Sequence, residues 1–193
     1  SAPVDPPPAP PEDQPLPQPA PQPTPSSEAG PLAPVAVRVD GGEIALAYGA
    51  DGRRVVVRDA ATGAEVARFT PFEDSFTGAV ALTTADFDGD GLTDVIVTPG
   101  AGGGGRVNVY RGADLAAART DPLASFLGIE DAGYRGGATA AFGDLNGDGV
   151  PDLIVTAGEG GGPRVATFDG AGLGRGAVPP KLAGDFFAFE PGL

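Results

Sequence analysis

The chain of 193 residues has no Cys, His, Met or Trp, only ten Phe and three Tyr, and 12 basic residues against 26 acidic ones. Each shortage excludes something. Without Cys there is no disulfide framework, no thiolate nucleophile and no Cys-based zinc site. Without His there is no Ser-His-Asp triad, no imidazole metal ligand and no side chain that ordinarily titrates near neutral pH. The net charge of −14 repels phosphate backbones and anionic lipid heads, which argues against nucleic acid and membrane surfaces as partners. No stretch approaches the roughly 18 apolar residues of a membrane span, so no membrane insertion is expected.

What is abundant is glycine and proline, with 32 and 22 residues. Together they far exceed the usual globular share of about 12%. Fourteen of the prolines fall in residues 1–34, a stretch with four acids, no Lys or Arg and no aromatic. Pro6-Pro7-Pro8 and the alternating prolines from Pro15 to Pro25 cannot form helix or ladder hydrogen bonds. Residues 1–34 are therefore read as a disordered Pro-rich linker or stalk. Recognition by a Pro-binding domain is the other reading, disfavoured because basic anchors beside the prolines are missing.

From Val35 onward short apolar runs alternate with Gly and Asp. The runs Ile44–Tyr48, Val55–Arg58, Val80–Thr84, Val95–Thr98, Val107–Tyr110, Ala138–Phe142, Leu153–Thr156 and Val165–Phe168 predict strands. The best helical segment, Ala113–Arg119, is short. The strands repeat: Ala85–Thr98 aligns with Gly143–Thr156 at an offset of 58 residues. The offset persists upstream (Phe76-Thr77-Gly78 with Tyr134-Arg135-Gly136) and downstream (Gly104–Val107 with Gly162–Val165). A self-similar period near 50 marks a propeller, solenoid or array. Residues 35–193 thus divide into a partial unit at 35–75 and repeats at about 76–133 and 134–191. In the partial unit, the acidic loop shrinks to Val39-Asp40-Gly41-Gly42.

Each complete repeat carries the pattern D-x-[DN]-x-D-G-x-x-D. The first copy is Asp86, Asp88, Asp90, Gly91 and Asp94; the second is Asp144, Asn146, Asp148, Gly149 and Asp152. Carboxylates crowded this closely repel one another, and a hard divalent cation relieves that. Ca²⁺ accepts six to eight oxygens in a flexible geometry. Alternate positions aim oxygens at one point, the Gly at position 6 permits the sharp turn, and position 7 (Leu92 or Val150) offers a backbone carbonyl. The loop is not an EF-hand, which needs a Glu where this chain has Val97 and Val155. Asp-Gly turns also form without metal, as solvated turns. Two copies at a fixed offset with every pattern position filled favour calcium. Acid–base catalysis by paired carboxylates lacks neighbours that would separate two pKa values.

These repeats resemble FG-GAP/VCBS-type repeats, the calcium-loop blades of integrin α-subunit propellers and many secreted bacterial proteins. The resemblance covers about 43–193 and is carried most specifically by the two loops, with Gly162-Pro163-Arg164-Val165 and Phe168-Asp169-Gly170 in support. It implies an all-β fold of four-stranded antiparallel propeller blades, about two complete and one partial, too few to close a ring. It implies Ca²⁺ ligation by Asp86, Asp88, Asp90, Asp94 and the Leu92 carbonyl, and by Asp144, Asn146, Asp148, Asp152 and the Val150 carbonyl.

The Gly-rich stretch Gly100–Gly105 matches G-x-G-x-x-G, but Arg106–Tyr110 after it reads as a strand, where a dinucleotide site needs a helix. A hairpin loop is expected there and at Gly158–Pro163. Arg106 and Arg164 are expected to strut neighbouring Asp residues. The functional expectation is a non-enzymatic, calcium-binding, structural or adhesive module of a secreted or cell-surface protein. Its expected partners are a protein or glycan ligand at a cell surface, and further blades of the same chain or edge-to-edge self-association. The alternative is an accessory or partial propeller domain of a secreted carbohydrate-active enzyme, similar to polysaccharide lyases, or a lectin-like sugar binder. Phe and Tyr recur at repeat-equivalent places, which points to core packing, and no catalytic residue is assigned.

Overall fold

The computed structural model describes residues 34–48, 51–176 and 178–188. The Pro-rich segment expected at 1–34 lies, but for Pro34, outside the described residues. Twelve strands form three antiparallel sheets of four. The first sheet is β1 (Val35–Val39), β2 (Gly42–Tyr48), β3 (Val55–Asp59) and β4 (Glu65–Phe69). The second is β5 (Val80–Ala85), β6 (Asp94–Pro99), β7 (Arg106–Tyr110) and β8 (Ala124–Leu127). The third is β9 (Ala138–Gly143), β10 (Asp152–Ala157), β11 (Arg164–Phe168) and β12 (Phe186–Phe187). Within each sheet the strands neighbour one another in chain order. Among the described residues a short α-helix, α1 (Gly112–Ala116), overlaps the N-terminal half of the Ala113–Arg119 run expected to be helical.

The all-β architecture is the expected one, and three sheets do not close a ring. The first unit differs from its expectation. It is a complete four-stranded sheet, because Val35–Val39 pairs along its whole length with Gly42–Leu46. Its alternating pattern, Val35, Val37 and Val39, was obscured by the adjoining prolines. The two-residue turn Asp40-Gly41 takes the place of the eight-residue acidic connections, 86–93 and 144–151, of the other two sheets.

Two cores hold the sheets together, one between the first and second sheets and one between the second and third. The first contains Val37, Ile44, Leu46, Val55, Val57, Val95, Val97 and Tyr110. The second contains Ile96, Val107, Val109, Phe126, Leu153, Val155 and Phe168. This explains why β6 is buried at every residue, while β2 alternates. Val95 and Val97 face one neighbour and Ile96 faces the other, so a strand covered on both faces reads as a continuous apolar run. Aromatic contacts cross both interfaces: Phe69 meets Tyr110 with centroids 5.1 Å apart, and Phe126 meets Phe168 edge-on at 5.3 Å. The Thr83 hydroxyl adds a hydrogen bond to the Ala140 carbonyl, 3.0 Å away. The two acidic loops are the β5–β6 and β9–β10 connections.

Candidate metal centre

In each loop the position-1 carboxylate organises the turn. Asp86 accepts hydrogen bonds from the amides of Gly89 (2.8 Å) and Gly91 (2.9 Å). Asp144 does the same for Gly147 (2.6 Å) and Gly149 (3.1 Å). Position 3 accepts from the amide of position 5, Asp88 from Asp90 at 3.3 Å and Asn146 from Asp148 at 2.8 Å. Position 5 accepts from the amide of position 7, Asp90 from Leu92 and Asp148 from Val150, both at 2.8 Å. These bonds curl the loop so that alternate side chains turn to its inside. Gly91 and Gly149 both have φ +83°, the left-handed conformation that the turn requires at position 6.

Position 9 separates the two copies. Asp152 is fully buried, and both of its oxygens are engaged. One accepts from Leu145 (2.8 Å) and Asn146 (3.2 Å), the other from Gly170 (3.0 Å). Asp94 is 2% exposed, and one oxygen accepts from Gly112 at 3.1 Å. Its other oxygen is buried without a hydrogen-bond partner. Burial pushes the Asp94 carboxyl up to about 7; the charges of Asp88 and Asp90 add to this, and the backbone amides of Gly112 and Phe87 oppose it. Oxygens of Asp86, Asp88 and Asp94 lie within 4.8 Å of one another. The structure thus brings three of the four expected acids of the first loop to one point, with Asp90 beside them on the Leu92 amide. In the second loop the amide of Asn146, which donates to Asp148 at 3.1 Å, replaces one carboxylate.

An orphaned carboxylate oxygen in a buried position is costly unless something pairs with it. Hard oxygen donors from three acids gathered within 4.8 Å of one another fit a hard divalent cation. Asp86, Asp88 and Asp94 would hold it.

Sequence reasoning overlooked the glycines that receive position 9. A Cβ on Gly112 would lie 2.0 Å from the Thr93 carbonyl oxygen, and one on Gly170 would lie 1.9 Å from that of Pro151. Only glycine lets the chain after β7 and β11 come close enough to donate to Asp94 and Asp152. The signal was present in the Gly-Ala pairs 112–113 and 170–171, which also stand 58 residues apart. Arg111 was missed as well. Its guanidinium stands 3.5 Å from Asp88 and donates to the Gly174 carbonyl, so it ties the first loop to the 3₁₀ turn Gly170–Arg175 that follows β11 of the third sheet. Of the two expected struts, Arg164 pairs with Asp185, whereas Arg106 donates to the Ser125 hydroxyl at 3.2 Å. The Gly-rich stretch leads into β7, as expected for a hairpin. A Cβ on Gly105 would lie 2.4 Å from that of Ile129, so the loop is packed against protein there.

Residues 86–155 match the family model of the FG-GAP-like repeat, and residues 136–178 match that of the FG-GAP repeat. No curated protein and no solved structure matches the chain. Among the described residues, no helix is long and apolar enough to cross a membrane.

Proposed function

This chain is an FG-GAP-type repeat protein, its family matches running from residue 86 to 178, and from that premise we propose that it is a non-enzymatic, calcium-binding structural or adhesive module. The observation that carries the reading is the unpaired, buried oxygen of Asp94 beside Asp86 and Asp88. A bound Ca²⁺ would offset most of the charge of the three acids and fix the β5–β6 connection against the segment that follows β7. The second loop would take the ion through Asp144, Asn146 and Asp148, with Asp152 acting chiefly as the backbone's acceptor. Extracellular calcium reaches the concentrations that weak sites of this type need, which supports a secreted or cell-surface location. The absence of His and Cys and the commitment of Asp152 to backbone amides support a binding role over a catalytic one. The ligand of such a module would be a protein or glycan on a cell surface.

Calorimetric titration tests the metal directly. For a site with Kd of about 10⁻⁴–10⁻³ M, calcium at ten times Kd should stabilise the fold by about 1.4 kcal/mol, and EDTA should reverse this. Asp94→Asn should abolish the calcium response of the first loop while leaving the metal-free protein at least as stable, because it removes a buried charge. Unchanged calcium uptake in that variant, or no heat with the native chain, would count against the proposal.

A further inference from the structure

At one position the three units carry opposite charges. Val55, Val107 and Val165 hold the same register place, opposite Phe69, Phe126 and Phe186. The fourth residue after each is Asp59, Arg111 and Asp169. The two acids close the turns that follow them. Asp59 accepts from the Thr62 amide and hydroxyl, both at 2.7 Å, and Asp169 accepts from the Ala171 amide at 2.9 Å. Arg111 has no oxygen to offer. It precedes α1 without a side-chain cap, where an acceptor is preferred and a cation gains nothing from the helix dipole. Its guanidinium is used elsewhere. Nε lies 3.5 Å from an Asp88 oxygen, with the two side chains 37% and 20% exposed, and Nη2 donates to the Gly174 carbonyl. A Cβ on Gly174 would lie 2.2 Å from that of Asp88, so the third repeat's 3₁₀ turn rests on Asp88 itself. The second loop gives the contrast. Its position 3 is Asn146, without charge, and 58 residues after Arg111 stands Asp169. The cation is present where position 3 is a carboxylate and absent where it is an amide.

We infer that Arg111 is a built-in counter-cation of the first loop, which holds Asp88 in the ion-free chain and competes with a divalent cation for that carboxylate. The inference rests on the calcium reading of the loop. A guanidinium and a dication draw on the same carboxylate and repel each other at short range. Arg111 therefore keeps the affinity of the first loop below what its acids alone would give. The same guanidinium holds the Gly174 carbonyl, so filling the loop also bears on the contact between the second and third repeats. A plain strut between repeats would use the same hydrogen bonds but would leave calcium affinity unchanged.

The test is calorimetric titration of the full chain with calcium, with Asp148→Asn in every sample to weaken the second loop. Arg111→Gln should lower Kd about two- to fivefold, the range for releasing a partly exposed ion pair. Arg111→Lys keeps the charge and should stay within about twofold of the parent. Arg111→Asp, which places here the residue type of the other two units, should bind more tightly than Arg111→Gln. A Kd that follows charge in this order is not the mark of a strut, whose loss would lower Tm in EDTA and leave Kd as it was. An unchanged or raised Kd in Arg111→Gln, or an equal fall in Arg111→Lys and Arg111→Gln, would overturn the inference while leaving calcium at the loop. No calcium uptake by the parent or any variant would overturn the calcium reading and this inference together.

Discussion

Asp152 accepts hydrogen bonds from the amides of Leu145, Asn146 and Gly170, while Asp94, at the same place in the other loop, leaves one oxygen unpaired. One residue type in one pattern position therefore acts as a satisfied acceptor in one copy and a poised ligand in the other. Asp152→Ala would orphan three buried or half-buried donors, each worth about 1–3 kcal/mol when left unsatisfied. It should cost at least about 3 kcal/mol in urea denaturation, with or without calcium. A loss that calcium fully restores would instead make Asp152 a metal ligand first. The carboxylates were legible in the sequence because their spacing is rigid. Which oxygens are free was not, because both copies receive a glycine amide, from Gly112 or Gly170, and differ only in whether the loop's own amides, Leu145 and Asn146 in the second copy, reach the other oxygen.

At the level of elements, the eight apolar runs were all strands, since four or five largely apolar residues, too few for a helix and punctuated by Gly and Asp, have few other options. The strands that escaped such reading, β4 and β8 among them, are short and mix apolar residues with charged or polar ones. They are sheet edges, held by pairing to a stronger neighbour. Phe126 of β8 is 6% exposed and packs across to Phe168, so Phe126→Ala should cost about 3–5 kcal/mol in chemical denaturation. A value under about 1 kcal/mol would mean that the second and third sheets do not depend on that contact. The third sheet's edge is pinned differently. Burial alone would raise the Asp185 carboxyl, but hydrogen bonds from Lys181 and Arg164 hold it below the ordinary carboxylate value. A carboxyl depressed in the fold contributes stability above its unfolded value near 3.8, and that contribution fades as pH falls through the folded value. Asp185→Asn should therefore lower stability at neutral pH and flatten the acid limb of a denaturation-midpoint profile. An acid limb parallel to that of the native chain would rule the contribution out.

Among the described residues the second sheet packs on both of its neighbours, so stability accumulates by neighbours, as in other repeat architectures. Arg111 reaches from the second sheet's last turn to Asp88 and to the Gly174 carbonyl, so it links the first loop, in the second sheet's repeat, to the third sheet's repeat. Residues 1–34 enter this scheme only through composition. With few apolar side chains to bury, they should contribute nothing to the packed sheets. Deleting residues 1–33 is expected to leave the melting temperature of the remainder within about 2 °C. A fall of many degrees would place that segment in the core.

The sequence by itself determined the repeat, its 58-residue offset, the strand content and the loop carboxylates, because these follow from local spacing and side-chain chemistry. Only the tertiary structure decided that the first unit is a full sheet, since Val35–Val39 is ordinary until Gly42–Leu46 pairs with it. Only the tertiary structure separated Asp94 from Asp152, or Phe126 from Phe186. In each pair the residue type and the repeat position are shared or nearly so. For the phenylalanines, Phe126 buried and Phe186 exposed, the difference lies in what stands opposite, set by residues distant in the chain. For the aspartates it lies in whether the loop's own amides, Leu145 and Asn146 in the second copy, close onto the second oxygen.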